Sequence, residues 1–268
     1  MSLDIRSMWN FRDPEASEAT FRAAMEGASD DDRFILQTQI ARTYGLRNDF
    51  AKAKEELKSL EFGLAKTSPE GQVRHALEWG RAHCSPAHPE DAITDADRQT
   101  ARDANLRAAE IAKAAGLDAL EIDALHMMTM VDSAPEDQIL WNERALAAME
   151  RSDQPDAKRW EGSLRNNLGY AYRLAGRYDE SLIELDKCRA FHAGNGNVYG
   201  ERVARWMTAR TLRDMGRYQE ALDIQHALEK EFEADGETDT YVFEELAALY
   251  RATGDEDKAK VYDEKQKS

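Results

Sequence analysis

The chain has 268 residues, with 52 Asp and Glu against 36 Lys and Arg, and a formal net charge of -16. That balance disfavours DNA or RNA as a partner, because a duplex carries one negative charge per ~1.7 Å and its binders need a basic face to release counterions. The longest apolar runs, such as Ala145 to Met149, fall far short of the ~20 residues of a membrane-spanning helix, so no membrane span is expected.

The N-terminal stretch MSLDIRSMWNF has an early Asp, no basic run and no apolar core, and does not read as a secretory signal. Only two cysteines occur, Cys84 and Cys188, which suits a reducing cytoplasm. The six prolines, Pro14, Pro69, Pro86, Pro89, Pro135 and Pro155, mark helix starts or connections, because proline fits the first helical turn and breaks helix interiors. Asp13-Pro14 starts a first helix running to about Gly27, Ser68-Pro69 starts another, and Ser133-Ala134-Pro135-Glu136 spells a capping box. Apolar residues recur at helical spacing, as in Phe34, Ile35, Thr38, Ile40, Ala41 and Tyr44, and no stretch alternates like a strand. The expectation is an all-α chain of about twelve or thirteen helices.

One pattern repeats. Near the N-terminus it reads Ile40, Ala41, Tyr44, Asn48, Phe50, Ala53, Leu57. It returns as Leu168, Gly169, Tyr172, Gly176, Tyr178, then Ala209, Leu212, Gly216, Tyr218, Ala221, then Leu246, Ala247, Tyr250, Gly254, Ala259. Each copy is a helix, a turn and a second helix, with apolar flanks that need stacked neighbours. Asn48 replaces the turn Gly, and Asn is the other residue that tolerates a left-handed conformation. Residues 65 to 155 keep the helix-pair rhythm with fragments of the motif, around a long irregular connection from Ser85 to Asp95. Gly194-Asn195-Gly196-Asn197 reads as a linker, since it lacks G-x-G-x-x-G spacing and a preceding strand. The charged segment from Glu256 to Lys267 suits a capping helix.

This pattern resembles the tetratricopeptide repeat, most closely in NNLGYAYRLAGRYDESLIELDKC, where Ser181 and Cys188 take the two small positions. It departs at Arg165, where the family usually has Trp, and at Leu185, where it usually has an aromatic. The resemblance implies a right-handed superhelical array of antiparallel helix pairs, a TPR-like α-solenoid, as one repeat domain over 1-268. The clearest repeats are about 34-62, 162-195, 202-235 and 240-264, with degenerate pairs over about 65-155 and the capping helix over about 256-267. Turn spacings of 40 and 38 residues exceed the family's period of roughly 34, so helices or connections should be longer than usual.

In such arrays the first helix of each pair lines a concave groove. By that register Asn166, Tyr170 and Arg173, then Trp206, Arg210 and Arg213, then Arg251, face the groove, with Arg42 in the N-terminal copy. Asn167 sits where the family's Asn can hydrogen-bond a ligand's backbone, whereas Val203 takes a position at which a carboxylate clamp needs Lys or Arg. Arginines gathered on one face suit bidentate contacts with carboxylates, which points to an acidic peptide or a chain terminus. The competing reading is that these arginines are helix formers paired with nearby Glu. Trp206 is either an anchor in the groove or packing between repeats.

His83, Cys84 and His88 form the one cluster of metal-ligand types, but neighbours on a helix point apart and no further ligand completes the set, so no metal is expected. No P-loop, G-x-S-x-G or H-E-x-x-H occurs, and His75, His126, His192 and His226 are scattered. His126, beside Met127, Met128 and Met130, reads as a packed helix residue. No catalytic residue and no cofactor are expected. The function expected is a non-enzymatic scaffold that binds a protein or peptide in the cytoplasm. The alternatives are a regulator whose curvature a peptide changes and an enzyme with an unrecognised site.

Overall fold

A computed structural model describes residues 3–267; Met1 and Ser2 of the N-terminal stretch, and Ser268, lie outside the described residues. Among the described residues the secondary structure is helical, without strands. In order, the helices are α1 (Pro14–Ala24), α2 (Asp30–Leu46), α3 (Phe50–Ser59), α4 (Pro69–His83), α5 (Asp95–Ala115), α6 (Asp118–Val131) and α7 (Pro135–Arg151). They continue as α8 (Pro155–Lys158), α9 (Glu161–Leu174), α10 (Tyr178–Gly194), α11 (Val198–Asp214), α12 (Tyr218–Ala234), α13 (Thr240–Ala252) and α14 (Glu256–Lys265). One turn of 3-10 helix, Glu90–Ala92, interrupts the connection from α4 to α5. Because α8 is a single turn of 4 residues, the longer helices number thirteen among the described residues.

The described residues divide into two compact units, with the boundary between Trp160 and Glu161. In the first, α1 packs on α2, and the antiparallel pairs α2–α3, α4–α5 and α6–α7 follow, α2 touching α4 and α4 touching α6. In the second, the pairs are α9–α10, α11–α12 and α13–α14, with α9 touching α11 and α11 touching α13. Each unit is thus a stack of helix pairs in which first helices meet first helices.

The turns explain why the repeat can be read from sequence. Gly176, Gly216 and Gly254 have φ of 73°, 75° and 82°, and Asn48 has φ of 63°, the one non-glycine with positive φ among the described residues. At all four the next backbone N–H donates back to a carbonyl five residues earlier: Asp49 to Tyr44, Arg177 to Tyr172, Arg217 to Leu212 and Asp255 to Tyr250, each at 2.9 Å. That bond closes a Schellman-type helix end, which needs a left-handed residue. Asn48 therefore does the work of the glycine it replaces.

Helix starts follow the expected chemistry with one correction. Asp13 accepts from the Ala16 N–H at 2.9 Å and Ser68 from that of Gly71 at 3.2 Å. The capping box expected at Ser133 does not form: the cap position of α7 is Ala134, with no side-chain cap. Pro135 at the first helical position, with its fixed φ, starts the helix one residue later than the box requires. The capping box present in α5 is instead Thr94 with Asp97. Similarly α11 begins at Val198, ahead of the expected 202, because Asn197 accepts from the Gly200 N–H at 2.9 Å.

The two departures from the repeat pattern are accommodated locally. Arg165 is buried and pairs with Glu161 and Glu184, both at 2.8 Å. Leu185 is fully buried against Gly169, where a Cβ would come within 2.7 Å of it. Ser181, also buried, donates to the Gly169 carbonyl at 2.7 Å. At the C-terminal end α14 buries Ala259 and Tyr262, and the Tyr262 hydroxyl donates to Glu229 at 3.0 Å.

Candidate peptide-binding site

In the first unit, a chain of charge pairs runs across the first helices. Arg42 on α2 lies 3.5 Å from Glu78 on α4, Glu78 pairs with Arg81 at 2.7 Å, and Arg81 pairs with Asp123 on α6 at 2.5 Å. Glu78 is 3% exposed and its Oε2 has no hydrogen-bond partner. The Arg42 guanidinium lies 5.4 Å from the Trp9 ring and 5.5 Å from Phe11, two rings that stack on each other. Burial, then Arg81, pulls the Arg42 pKa below its ordinary value. Burial pushes the Asp123 carboxyl up, but Arg81 and Arg42 outweigh it and hold that carboxyl low.

The second unit carries a parallel chain. Arg173 on α9 pairs with Asp214 on α11, Asp214 also lies 3.5 Å from Arg213, and Arg213 grips Glu245 on α13 at 2.5 Å. Arg210 lies 3.6 Å from Glu245 and 4.7 Å above the Trp206 ring. Burial keeps the Glu245 carboxyl above its ordinary value despite Arg213 and Arg210. Asn166 Oδ1, Arg173 Nε and Arg210 Nε are buried without a hydrogen-bond partner. Trp206 donates its indole N–H to the Tyr241 carbonyl at 3.1 Å, so it bridges α11 to α13. It also lines a cavity of about 170 Å³ with Tyr199, Val203 and Phe232.

Among solved structures, the chain is similar to a signal transduction ATPase with numerous domains from Pyrococcus horikoshii that has a tetratricopeptide repeat sensor (TM-score 0.71, 13% identity, 94% of this chain and 38% of that one). The chain thus spans well under half the length of that protein. It is also similar to NprR in complex with its cognate peptide NprX (TM-score 0.59, 14% identity, 95% of this chain and 73% of that one). A third is a Podosopora anserina putative kinesin light chain with TPR-like repeats (TM-score 0.57, 18% identity, 75% of this chain and 95% of that one). The chain has a tetratricopeptide-like fold. No family model matches it, and no curated protein matches it in sequence.

On this tetratricopeptide-like frame the sequence-derived groove residues fall into three groups. Arg173, Arg210 and Arg213 are brought together through Asp214 and Glu245, with Trp206 beside Arg210 and Tyr170 5.4 Å from the Arg173 guanidinium. Asn166 and Asn167 are partly buried on α9, and Arg42, also partly buried, takes on α2 the repeat position that Tyr170 has on α9. Arg251 is not brought into the set, because it pairs with Asp263 on α14. The carboxylates Glu78, Asp123, Asp214 and Glu245, and Arg81, were missed. Asp214 next to Arg213, and Glu78 three residues before Arg81, were the available signals.

The remaining titratable groups are engaged separately. His83 pairs with Asp97 at 2.8 Å, the Cys84 thiol is buried and faces the Met130 carbonyl at 3.6 Å, and His88 stacks on Phe50 at 3.5 Å. Among the described residues no group of three His, Cys, Asp or Glu converges. His126 packs against Trp160 at 5.6 Å, and burial pulls its pKa down. No described helix is long and apolar enough to cross a membrane.

Proposed function

We propose that the protein is a non-enzymatic scaffold, a single repeat module that holds a peptide or partner protein along its first helices, as tetratricopeptide grooves do. The observation that carries this reading is the placement of buried polar atoms that make no hydrogen bond. Glu78 Oε2 in the first unit, and Asn166 Oδ1, Arg173 Nε and Arg210 Nε in the second, all lie on first helices, within or beside the charge chains. A buried polar atom without a partner costs about 1–3 kcal/mol, which a ligand's amides or carboxylates would recover. Asn105, Asn142 and Gln225, on second helices, also carry such atoms, and Asn105 is pressed against Gly80, where a Cβ would come within 2.5 Å.

In the second unit three arginines face two carboxylates, which favours an acidic ligand there. The reading keeps nucleic acid and membrane out of the partner set and assigns the protein to the cytoplasm, in keeping with two free, buried cysteines. A second reading, a regulator whose shape a peptide changes, draws support from the similarity to NprR in complex with its cognate peptide. Small-angle scattering with and without ligand separates the two.

The test is a selection of peptides from a random display library on the immobilised protein, followed by titration against the variant Asn166→Ala with Arg210→Gln. The ion pair of Arg210 with Glu245 is long, at 3.6 Å, and Arg213 also holds Glu245, so the variant should lose little stability while losing about tenfold or more in affinity. Undiminished affinity would place the binding surface elsewhere.

A further inference from the structure

The irregular connection after α4 has a structural product. The Ser85 N–H donates to His88 Nδ1 at 3.2 Å, His88 Nε2–H donates back to the Ala82 carbonyl at 3.2 Å, and the imidazole stacks on Phe50 with ring centroids 3.5 Å apart. The connection is thereby pinned beside the α2–α3 turn. Between them opens a cavity of about 260 Å³, walled by Leu46, Phe50, Ala82, Pro86 and Met127. Its polar lining is Arg42, Glu78, Arg81 and Ser85, whose hydroxyl is engaged with His88 Nδ1 at 3.0 Å.

We propose that this cavity takes one uncharged apolar side chain of an extended peptide, with Arg42 donating to the adjoining main-chain carbonyl and Glu78 Oε2 accepting from the N–H of the same residue. The inference rests on the scaffold reading and specifies the ligand chemistry at one of its sites.

Three observations carry it. The first is size: drug-sized ligands occupy roughly 300–1,000 Å³, so a smaller cavity suits a single side chain of a longer ligand. The second is charge. Arg42 and Arg81 are matched by Glu78 and Asp123, so the lining offers an ion no net attraction. The third is the pairing. Arg42 approaches Glu78 at 3.5 Å without hydrogen-bonding it, and Glu78 Oε2 is buried and unpartnered. A donor and an acceptor side by side are what one residue of an extended peptide satisfies, because its N–H and C=O point the same way. The occupant is therefore neutral and apolar at this point, in contrast to the second unit.

The experiment uses the full chain labelled at its methionine methyls and at indole nitrogens. N-acetylated, C-amidated alanine pentapeptides with central Leu, Phe, Asp or Lys are added to millimolar concentration. The Leu and Phe peptides should shift the Met127 methyl saturably, and the Asp and Lys peptides should bind about tenfold or more weakly. Arg42→Gln should weaken the Leu peptide about tenfold. Ala87→Trp, at an exposed rim position, should abolish the shift without loss of helicity. Preference for Asp, or no saturable shift at Met127, overturns the inference. If a library-selected peptide shifts the Trp206 indole but leaves Met127 unmoved, this inference fails and the scaffold reading stands; no shift at either overturns both.

Discussion

The Arg213 guanidinium embraces both oxygens of Glu245, with Nε 2.5 Å from Oε1 and Nη2 3.3 Å from Oε2. It joins the first helix of one repeat to that of the next, and Glu245 is only 4% exposed. Removing Arg213 leaves a buried carboxylate without its main partner, so Arg213→Ala should cost about 3–5 kcal/mol. Arg210→Gln, which keeps that pair intact, should cost well under half as much. Urea denaturation of the two variants checks the ordering. Equal losses would mean that the Arg213 pair is not what holds α11 to α13.

The left-handed turn at Asn48 yields a second expectation. Asn48→Gly should be neutral or mildly stabilising, whereas Asn48→Val should lose about 1–2 kcal/mol through strain at positive φ. Gly176→Ala, at φ of 73° with open space around it, should lose about 1 kcal/mol for the same reason. Melting temperatures decide it; a neutral Asn48→Val would contradict the turn geometry.

His192 is held between two glycines. A Cβ on Gly162 would come within 2.6 Å of its ring, and one on Gly200 within 2.5 Å. Gly162→Ala and Gly200→Ala should therefore each destabilise by about 1–3 kcal/mol. Combining Gly162→Ala with His192→Ala should recover much of that loss, giving a coupling energy of about 1 kcal/mol or more in a double-mutant cycle. Additive losses would show that the ring is not the obstacle.

Burial pulls the pKa of His75, His126 and His192 below the ordinary 6.5. With the folded value depressed, the unfolded chain binds more protons between the two values. Stability should be level above pH 6.5, decline as pH falls from there, and stop responding to these groups below their folded pKa. Urea midpoints at pH 7.5 and 5.5, to choose about one unit either side of the ordinary value, measure it. His75→Gln should flatten the slope; a midpoint rising toward acid pH would contradict the account.

Much of the fold was legible because its determinants are local. A left-handed turn needs Gly or Asn, so Asn48, Gly176, Gly216 and Gly254 announced the repeats, and Pro14, Pro69, Pro135 and Pro155 announced helix starts. Ser133 misled because a Pro two residues on moved the cap. The site was less legible. Arg173, Arg210 and Arg213 could be placed on first helices by register, but their partners Asp214 and Glu245 depend on which helices pack together. Glu78 and the walls around it lie where the repeat motif is degenerate, and the cavity depends on how His88 folds the connection onto Phe50. No spacing rule reports that.

The central claim is that ligand lies along the first helices. A library-selected peptide carrying a photoreactive diazirine, crosslinked to the full chain and mapped by mass spectrometry, tests it most directly. The account predicts adducts on first-helix positions such as Arg42, Asn166, Tyr170 and Trp206. Adducts concentrated on exposed second-helix residues such as Ile183 and Val261 would contradict it.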